Sequence, residues 1–335
     1  MTSAGNIGGR GSRSVARILG SGHFGLVLCL MAAVAFAPVA PGFLSSGNLA
    51  NILVGALPLL VLATGQTIVL VTGGIDLSVT AVIGLASIVG ALVMGGEHGW
   101  MRGSPVAMPV GVAAMLGTGV AIGFLNGFCV ARLRMPAFMV TLVATMIFGG
   151  LAVWLVKQAA GVESIYGLPA SFLALGSRPA LAAGLAVLAT VAAHLLLGRT
   201  LLGRWFHAVG HNPRASLISG VPVGRVTVAA YVVSGIFAAL ASVLITARLE
   251  TGSPNHGKAL LLDVIGAAVI GGTSLSGGRG KVVWTVHGVL FLALLGNGMD
   301  LLNVSDFLVT IAKGAVILVA ALLDVWRRRL AIDAE

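Results

Sequence analysis

Apolar runs long enough to cross a bilayer follow one another along almost the whole chain, separated only by short polar interruptions. A span needs about 20 mostly apolar residues. On that criterion the first run is residues 23–40, and further spans lie near Leu49–Thr72, Leu77–Gly96, Val106–Val130, Pro136–Val156 and Ala180–Leu197. Four more lie near Val226–Ala247, Ala259–Ser276, Val282–Leu302 and Phe307–Leu323. Ten spans are expected in all. The eighth is short enough to be re-entrant, so nine or eleven remain open. With 58% hydrophobic and 9% charged residues, the chain has too little polar surface to cover a soluble globule. The fold class is therefore all-α, a polytopic helical membrane protein.

The run from His23 to Ala40 has an Ala-Phe-Ala sequence like a signal-peptide cleavage site, but it is long for one and many spans follow, so it is read as an uncleaved first span. Residues 1–21, rich in Gly, Ser and Arg, are expected to form a flexible cytoplasmic tail, residues 22–326 the transmembrane domain, and residues 327–335 a cytoplasmic C-terminal tail.

Charge sets the orientation, because short cytoplasmic loops collect Lys and Arg. With the N-terminus inside, the inner side holds Arg10, Arg13, Arg17, Arg132, Arg134, Arg199, Arg204, Arg214, Arg225, Arg279, Lys281 and Arg327 to Arg329. The outer loops hold only Arg102, Lys157, Arg178, Arg248 and Lys258. Both termini are expected in the cytoplasm. The net charge of +10 is thus a matter of membrane orientation, since no basic stripe with interleaved aromatics suggests nucleic acid.

The longest polar interruption, residues 199–225, reads as a short capped helix facing the cytoplasm. Asn212 is a good N-cap, Pro213 fits the first helical position, Arg214 to Ser219 make under two turns, Gly220 allows a left-handed exit and Pro222 stops continuation.

The motifs of catalysis are missing: there is no HExxH, no GxSxG and no clustered His, Cys and Asp ligands. No catalytic or metal-binding residue is assigned, and no cofactor is expected on this chain. The run Gly271–Lys281 resembles a P-loop only superficially, because Leu275 and Val282 stand where a Walker motif needs Gly and Ser or Thr. It reads as a tight turn. Cys29 and Cys129 lie in apolar segments and read as packing residues, and His194, His207, His211 and His287 as structural histidines.

Polar groups inside spans carry more information, because burying one without a partner is costly. Asp76, in the Gly73-Gly74-Ile-Asp76-Leu-Ser78 run, is either a cap for the next span or a substrate contact. Asp263 and Lys313 either form a buried ion pair or reach water separately at span ends. Gln66, Asn126, Phe138, Thr141 and Asn297 are the candidates for a substrate pathway, although interhelical bonding suits the amides and the hydroxyl equally. Glycines such as Gly84, Gly90, Gly117, Gly119, Gly123, Gly149, Gly150 and Gly266 favour close helix crossings. A weak internal echo pairs Asn126-Gly127 and Phe138 to Thr141 with Asn297-Gly298 and Phe307 to Thr310, consistent with either an internal pseudo-repeat or chance.

These residues resemble a known family, the ribose/xylose/arabinose/galactose-type permease subunits of bacterial ATP-binding-cassette importers. The resemblance covers about Asn48 to Val325. It is carried by Gly73 to Ser78, Gly123 to Gly127, Met135 to Leu142, Gly203 to Asn212 with Ala215 and Ser219-Gly220, Gly271 to Gly278, and Lys313-Gly314. It implies an inner-membrane permease for a monosaccharide or similar polyol, paired with a second permease copy or a homologue and surrounded by membrane lipid. It also implies separate ATPase subunits that use ATP beneath it and an extracytoplasmic sugar-binding protein above. By this resemblance Asn212 to Gly220, including Ala215, is the coupling helix, with Asn212, Arg214 and Ser219 as polar contacts to the ATPase and Leu217 and Ile218 as anchors. Two departures bear on partner specificity: the outer segment Val162–Ser177 has little charge beyond Glu163, and His211 stands where a smaller residue is usual. The other readings from sequence are a stand-alone secondary transporter, for which Asp263 is the one modest coupling acid, and a membrane enzyme, for which no constellation is assembled.

Overall fold

The computed structural model describes residues 24–96 and 99–332, so the expected N-terminal tail lies outside the described residues. Thirteen α-helices follow in order among them: α1 Phe24–Phe36, α2 Ser46–Val71, α3 Val79–Met94, α4 Ala107–Ala131, α5 Ala137–Ala160, α6 Ala170–Ser177 and α7 Pro179–Arg199. They continue with α8 Leu201–His211, α9 Pro213–Ile218, α10 Val223–Leu249, α11 Leu261–Gly271, α12 Val282–Leu301 and α13 Asp306–Ile332. The described residues include no β-strand, only an isolated antiparallel bridge between Ile165 and Gly252.

Every expected span corresponds to an apolar helix. Seven of them, α2, α4, α5, α7, α10, α12 and α13, are long and apolar enough to cross a bilayer. The other three are short. At 1.5 Å per residue, α1 extends about 20 Å, α3 about 24 Å and α11 only about 16 Å, so the expectation that the eighth span is unusual has a clear counterpart in α11. The last helix runs to Ile332, and the segment expected as a C-terminal tail begins as helix.

Helix α2 is the centre of the bundle: from Ala56 to Val71 only Leu60 is not fully buried. Against it pack α10, α12, α7 and α11. A bond of 2.6 Å between the hydroxyls of Thr67 and Thr285 ties α2 to α12 in the dry interior. The α4–α10 crossing is close, and the small residues responsible are particular ones. A side chain on Gly119 would run into the Gly235 carbonyl, one on Gly123 into that of Tyr231, and one on Gly127 into Val228. Gly117, Gly149 and Gly150 face open space, so the expectation of close crossings holds for only part of the glycine set. Helix α1 belongs to the bundle, with the Cys29 thiol donating to the His287 carbonyl of α12 at 3.2 Å and Phe36 packed on Gly298.

The internal echo has a geometric counterpart. Asn126 lies near the end of α4 and Asn297 near the end of α12, while Thr141 and Thr310 occupy the first turns of the helices that follow. Both threonine hydroxyls donate to the carbonyl four residues back, Ala137 and Asp306 respectively. Yet Asn126 bonds beside the start of α3, and Asn297 bonds beside the start of α2. The α3 start adjoins the far end of α2, so the two motifs lie at opposite ends of the bundle.

Candidate functional site

The polar chemistry is concentrated at the end of the bundle that carries α8 and α9, and it begins with a break between α2 and α3. Helix α2 stops at Val71 and Gly73 turns left-handed, with φ of 82°. The chain is then non-helical until α3 begins at Val79. Such a break leaves buried peptide groups that need partners, and neighbouring helices supply them. The Ile75 carbonyl accepts from the hydroxyls of Thr141 and Tyr231, each at 3.3 Å, and the Leu77 carbonyl accepts from Thr145 at 3.0 Å. The Gln66 amide pairs with both the backbone N–H and the carbonyl of Asp76, at 3.2 and 3.1 Å.

Asp76 itself is 1% exposed. Its Oδ1 accepts from the Ser78 amide at 3.0 Å and from the Ser78 hydroxyl at 2.6 Å, and its Oδ2 accepts from Ser234 on α10 at 2.9 Å. Asn126 donates to the Ser78 hydroxyl at 2.7 Å. Neither reading of Asp76 is realised as stated: the N-cap of α3 is Ser78, with no side-chain cap bond, and Asp76 instead closes the turn before the helix and crosslinks it to α10. Both carboxylate oxygens are already engaged.

The five pathway candidates therefore separate. Gln66, Asn126 and Thr141 converge on the Gly73–Ser78 segment, where each holds the break together. Phe138 stands 52% exposed on the outside of α5. Asn297 lies at the opposite end, exchanging amide bonds of 2.8 and 3.0 Å with Asn48. Beside that pair is a cavity of about 300 Å³ lined also by Asn51, Asp300, Asp263 and Lys313. Lys313 donates to Asp263 Oδ2 at 2.7 Å. The ion-pair reading of these two residues is the one realised. Tyr231, Ser234 and Thr145 were missed from sequence, because a lone hydroxyl on an apolar helix is indistinguishable from an interhelical packing group until its partner is known.

The same break is gripped from below. In the turn Gly272–Lys281 the Ser274 amide donates to Arg279 at 2.9 Å, and Gly277 and Gly278 take φ of 87° and 75°. This is a tight turn, as expected. It places the Gly278 amide 2.8 Å from the Val71 carbonyl, the last of α2. Gly210 of α8 presses on that carbonyl so closely that a Cβ there would overlap it, and His211 packs over Gly278. His207 joins α8 to the same turn, its ring nitrogens lying 2.9 Å from the Gly203 carbonyl and 3.2 Å from that of Gly280. His287 differs, since its buried Nδ1 has no partner.

Helix α9 stands on this base with the form expected of it. Asn212 Oδ1 accepts from the amides of Arg214 and Ala215, both at 3.0 Å, and Pro213 occupies the first helical position. Gly220, with φ of 82°, closes the helix as the Val221 amide returns to the Ser216 carbonyl at 3.0 Å. Ser216 is buried, whereas Arg214, Ala215 and Ser219 are exposed, and Leu217 and Ile218 stand 65% and 88% exposed. Two bare aliphatic side chains on a short rigid helix form an unfilled contact surface.

Three runs far apart in sequence, Gly73–Ser78, Gly203–Gly220 and Gly271–Lys281, thus meet at one end of the bundle, with α9 joined to that junction through α8. Comparison with known proteins places this arrangement in context. The family described as branched-chain amino acid transport system / permease component matches residues 48–321. The chain is 35% identical to the ribose import permease protein RbsC of Escherichia coli K12 over 89% of this chain and 92% of that protein. It is 39% identical to RbsC of Bacillus subtilis 168 over 85% and 86%. It is 34% identical to the L-arabinose transport system permease protein AraH of E. coli K12 over 80% and 79%. No solved structure matches the chain.

Proposed function

The chain belongs to the branched-chain amino acid transport system / permease component family, and from that premise we propose that it is the sugar-translocating permease subunit of an ATP-binding-cassette importer in the inner membrane. The family description names amino acids, but the relatives at 34–39% identity are named for ribose and arabinose. A monosaccharide or similar polyol is therefore the proposed cargo. The chain carries it through the membrane and hydrolyses nothing itself.

The observation that carries the mechanism is the exposed, capped α9, continuous with α8, whose Gly210 and His211 press on the break in the central helix pair. ATP is to be used by separate ATPase subunits, which receive Leu217 and Ile218 in a groove and bond to Arg214 and Ser219. Closing of the ATPase pair displaces α9, and α8 transmits the displacement through Gly210 and His207 to Val71 and the Gly272–Lys281 turn. A rigid element linked to packed helices converts a local movement into their rearrangement. In this reading both termini and α9 face the cytoplasm. A sugar-binding protein docks at the opposite end, and a second permease copy or a homologue covers part of the apolar outer faces.

A secondary transporter finds little support, because its one candidate coupling acid, Asp263, is already neutralised by Lys313. The deciding experiment reconstitutes the chain with a candidate ATPase and binding protein from the same organism, and measures ATP-dependent uptake of radiolabelled ribose, arabinose and leucine. Uptake of a pentose but not leucine supports the assignment. Leucine uptake without pentose uptake defeats the sugar reading, and uptake without ATP defeats the importer reading.

A further inference from the structure

A second polar feature lies beside the α8 base, sharing His207 and the end of the Gly272–Lys281 turn with the coupling path but presenting cations that path does not use. The last turn of α7, the first turns of α8 and the start of α12 enclose a cavity of about 490 Å³, lined by Arg199, Arg204, Lys281, His194, His207 and Leu197 among others. The three formal cations are exposed, and no carboxylate lines the cavity. Among the described residues, none of the three forms a salt bridge. Lys281 also lies 5.2 Å from the Trp284 ring centroid. His207 already faces two carbonyls, so the groups left for a ligand are cationic.

What such a site binds depends also on the exposed side chains next in sequence to its lining. Leu195 lies one turn before Arg199 on the same face of α7, and Leu201 one turn before Arg204 on α8; they are 48% and 50% exposed. Val283, at the start of α12, is 44% exposed. Helix α8 packs Phe206 and Val209 into the protein core and turns Arg204 outward, toward the cavity. Exposed cations with bare aliphatic side chains within a turn of them complement an amphipathic anion. A freely soluble phosphate would use the cations and leave the aliphatic side chains uncovered.

We propose that this cavity is a specific site for the phosphate headgroup of an anionic phospholipid, held by Arg199, Arg204 and Lys281 with its acyl chains along Leu195 and Leu201. Basic pockets between transmembrane helices are suited to such headgroups, each cation near the surface contributing ~1 kcal/mol, or about fivefold in binding. The proposal does not depend on which solute is carried, so a failed transport assay leaves it standing.

The test is native mass spectrometry of the full chain in detergent, with dioleoyl phosphatidylglycerol, dioleoyl phosphatidylcholine or inorganic phosphate as probe. Phosphatidylglycerol should be retained over phosphatidylcholine, and millimolar phosphate should not displace it. Arg204→Gln and Lys281→Gln should each weaken retention about fivefold and the double substitution about 25-fold. Arg102→Gln and Arg178→Gln, at the other end, should have no effect. Equal retention of both lipids, retention unchanged in the double variant, or displacement by phosphate would overturn the proposal. A photo-crosslinkable phosphatidylglycerol on the wild-type chain gives a reading that no folding defect can obscure. Labelling within residues 194–207 and 280–284 supports the site, and labelling confined to other helices rejects it.

Discussion

The Val71 carbonyl, last in the central helix, accepts the amide of Gly278 at 2.8 Å from a turn more than two hundred residues further along the chain. One backbone bond therefore joins the break in the α2–α3 pair to the turn before α12, and Gly210 of α8 is wedged against the same oxygen. The consequences of this junction extend to the carboxylate that organises the break and to the helix that hangs from it.

Asp76 is predicted to matter for folding more than for cargo recognition. Asp76→Leu removes the acceptor from the Ser78 amide, the Ser78 hydroxyl and the Ser234 hydroxyl, and each buried donor left unpaired costs about 1–3 kcal/mol. Asp76→Asn keeps an acceptor for Ser78, and the Ser234 hydroxyl can turn to accept. Thermal unfolding in detergent should show a large loss for Leu and a small one for Asn. Equal, negligible effects would mean that the carboxylate is free to do something else.

At the opposite end, Lys313→Met should cost about 3 kcal/mol, the lower end for breaking a buried pair, because the Lys313 side chain retains 25% exposure. Adding Asp263→Leu should restore most of that loss, since no unpaired charge then remains. Chemical unfolding of the two variants compares them directly. A double variant as unstable as the single one would show that the pair serves packing and not charge compensation.

The proposed orientation places α9 in the cytoplasm. A cysteine at Ser219, exposed at the end of α9, should react with a membrane-impermeant maleimide in inside-out vesicles and not in intact spheroplasts. The native Cys29 and Cys129 are replaced by Ala first. Labelling from outside would reverse the whole topology.

How much of this was legible beforehand varies with the range of the interaction concerned. The α9 cap needs only Asn212, Pro213, Gly220 and Pro222, all within eleven residues, and local chemistry predicted it down to the acceptor atom. The ten apolar helices follow from the length of uninterrupted hydropathy. The long-range partners of Gly73–Ser78 were not legible, because Gln66, Asn126, Thr141, Tyr231 and Ser234 look alike as polar groups on apolar helices until the bundle brings them together. For the same reason sequence joined Asn297 to Asn126 and Thr141 in one candidate pathway, whereas Asn297 bonds Asn48 at the other end of the bundle.

The most direct test concerns α9 itself. In the chain assembled with its ATPase and binding protein, Asn212→Ala removes two cap bonds, worth about 1 kcal/mol of local helix stability. Gly220→Val forces a β-branched residue into φ of 82°, a strain of roughly 1–3 kcal/mol. The measurement is the ratio of substrate-stimulated to basal ATP hydrolysis in proteoliposomes. Both variants should assemble and keep basal hydrolysis while that ratio falls severalfold, with Gly220→Val the more severe. An unchanged ratio in fully assembled complexes would contradict the role assigned to the helix.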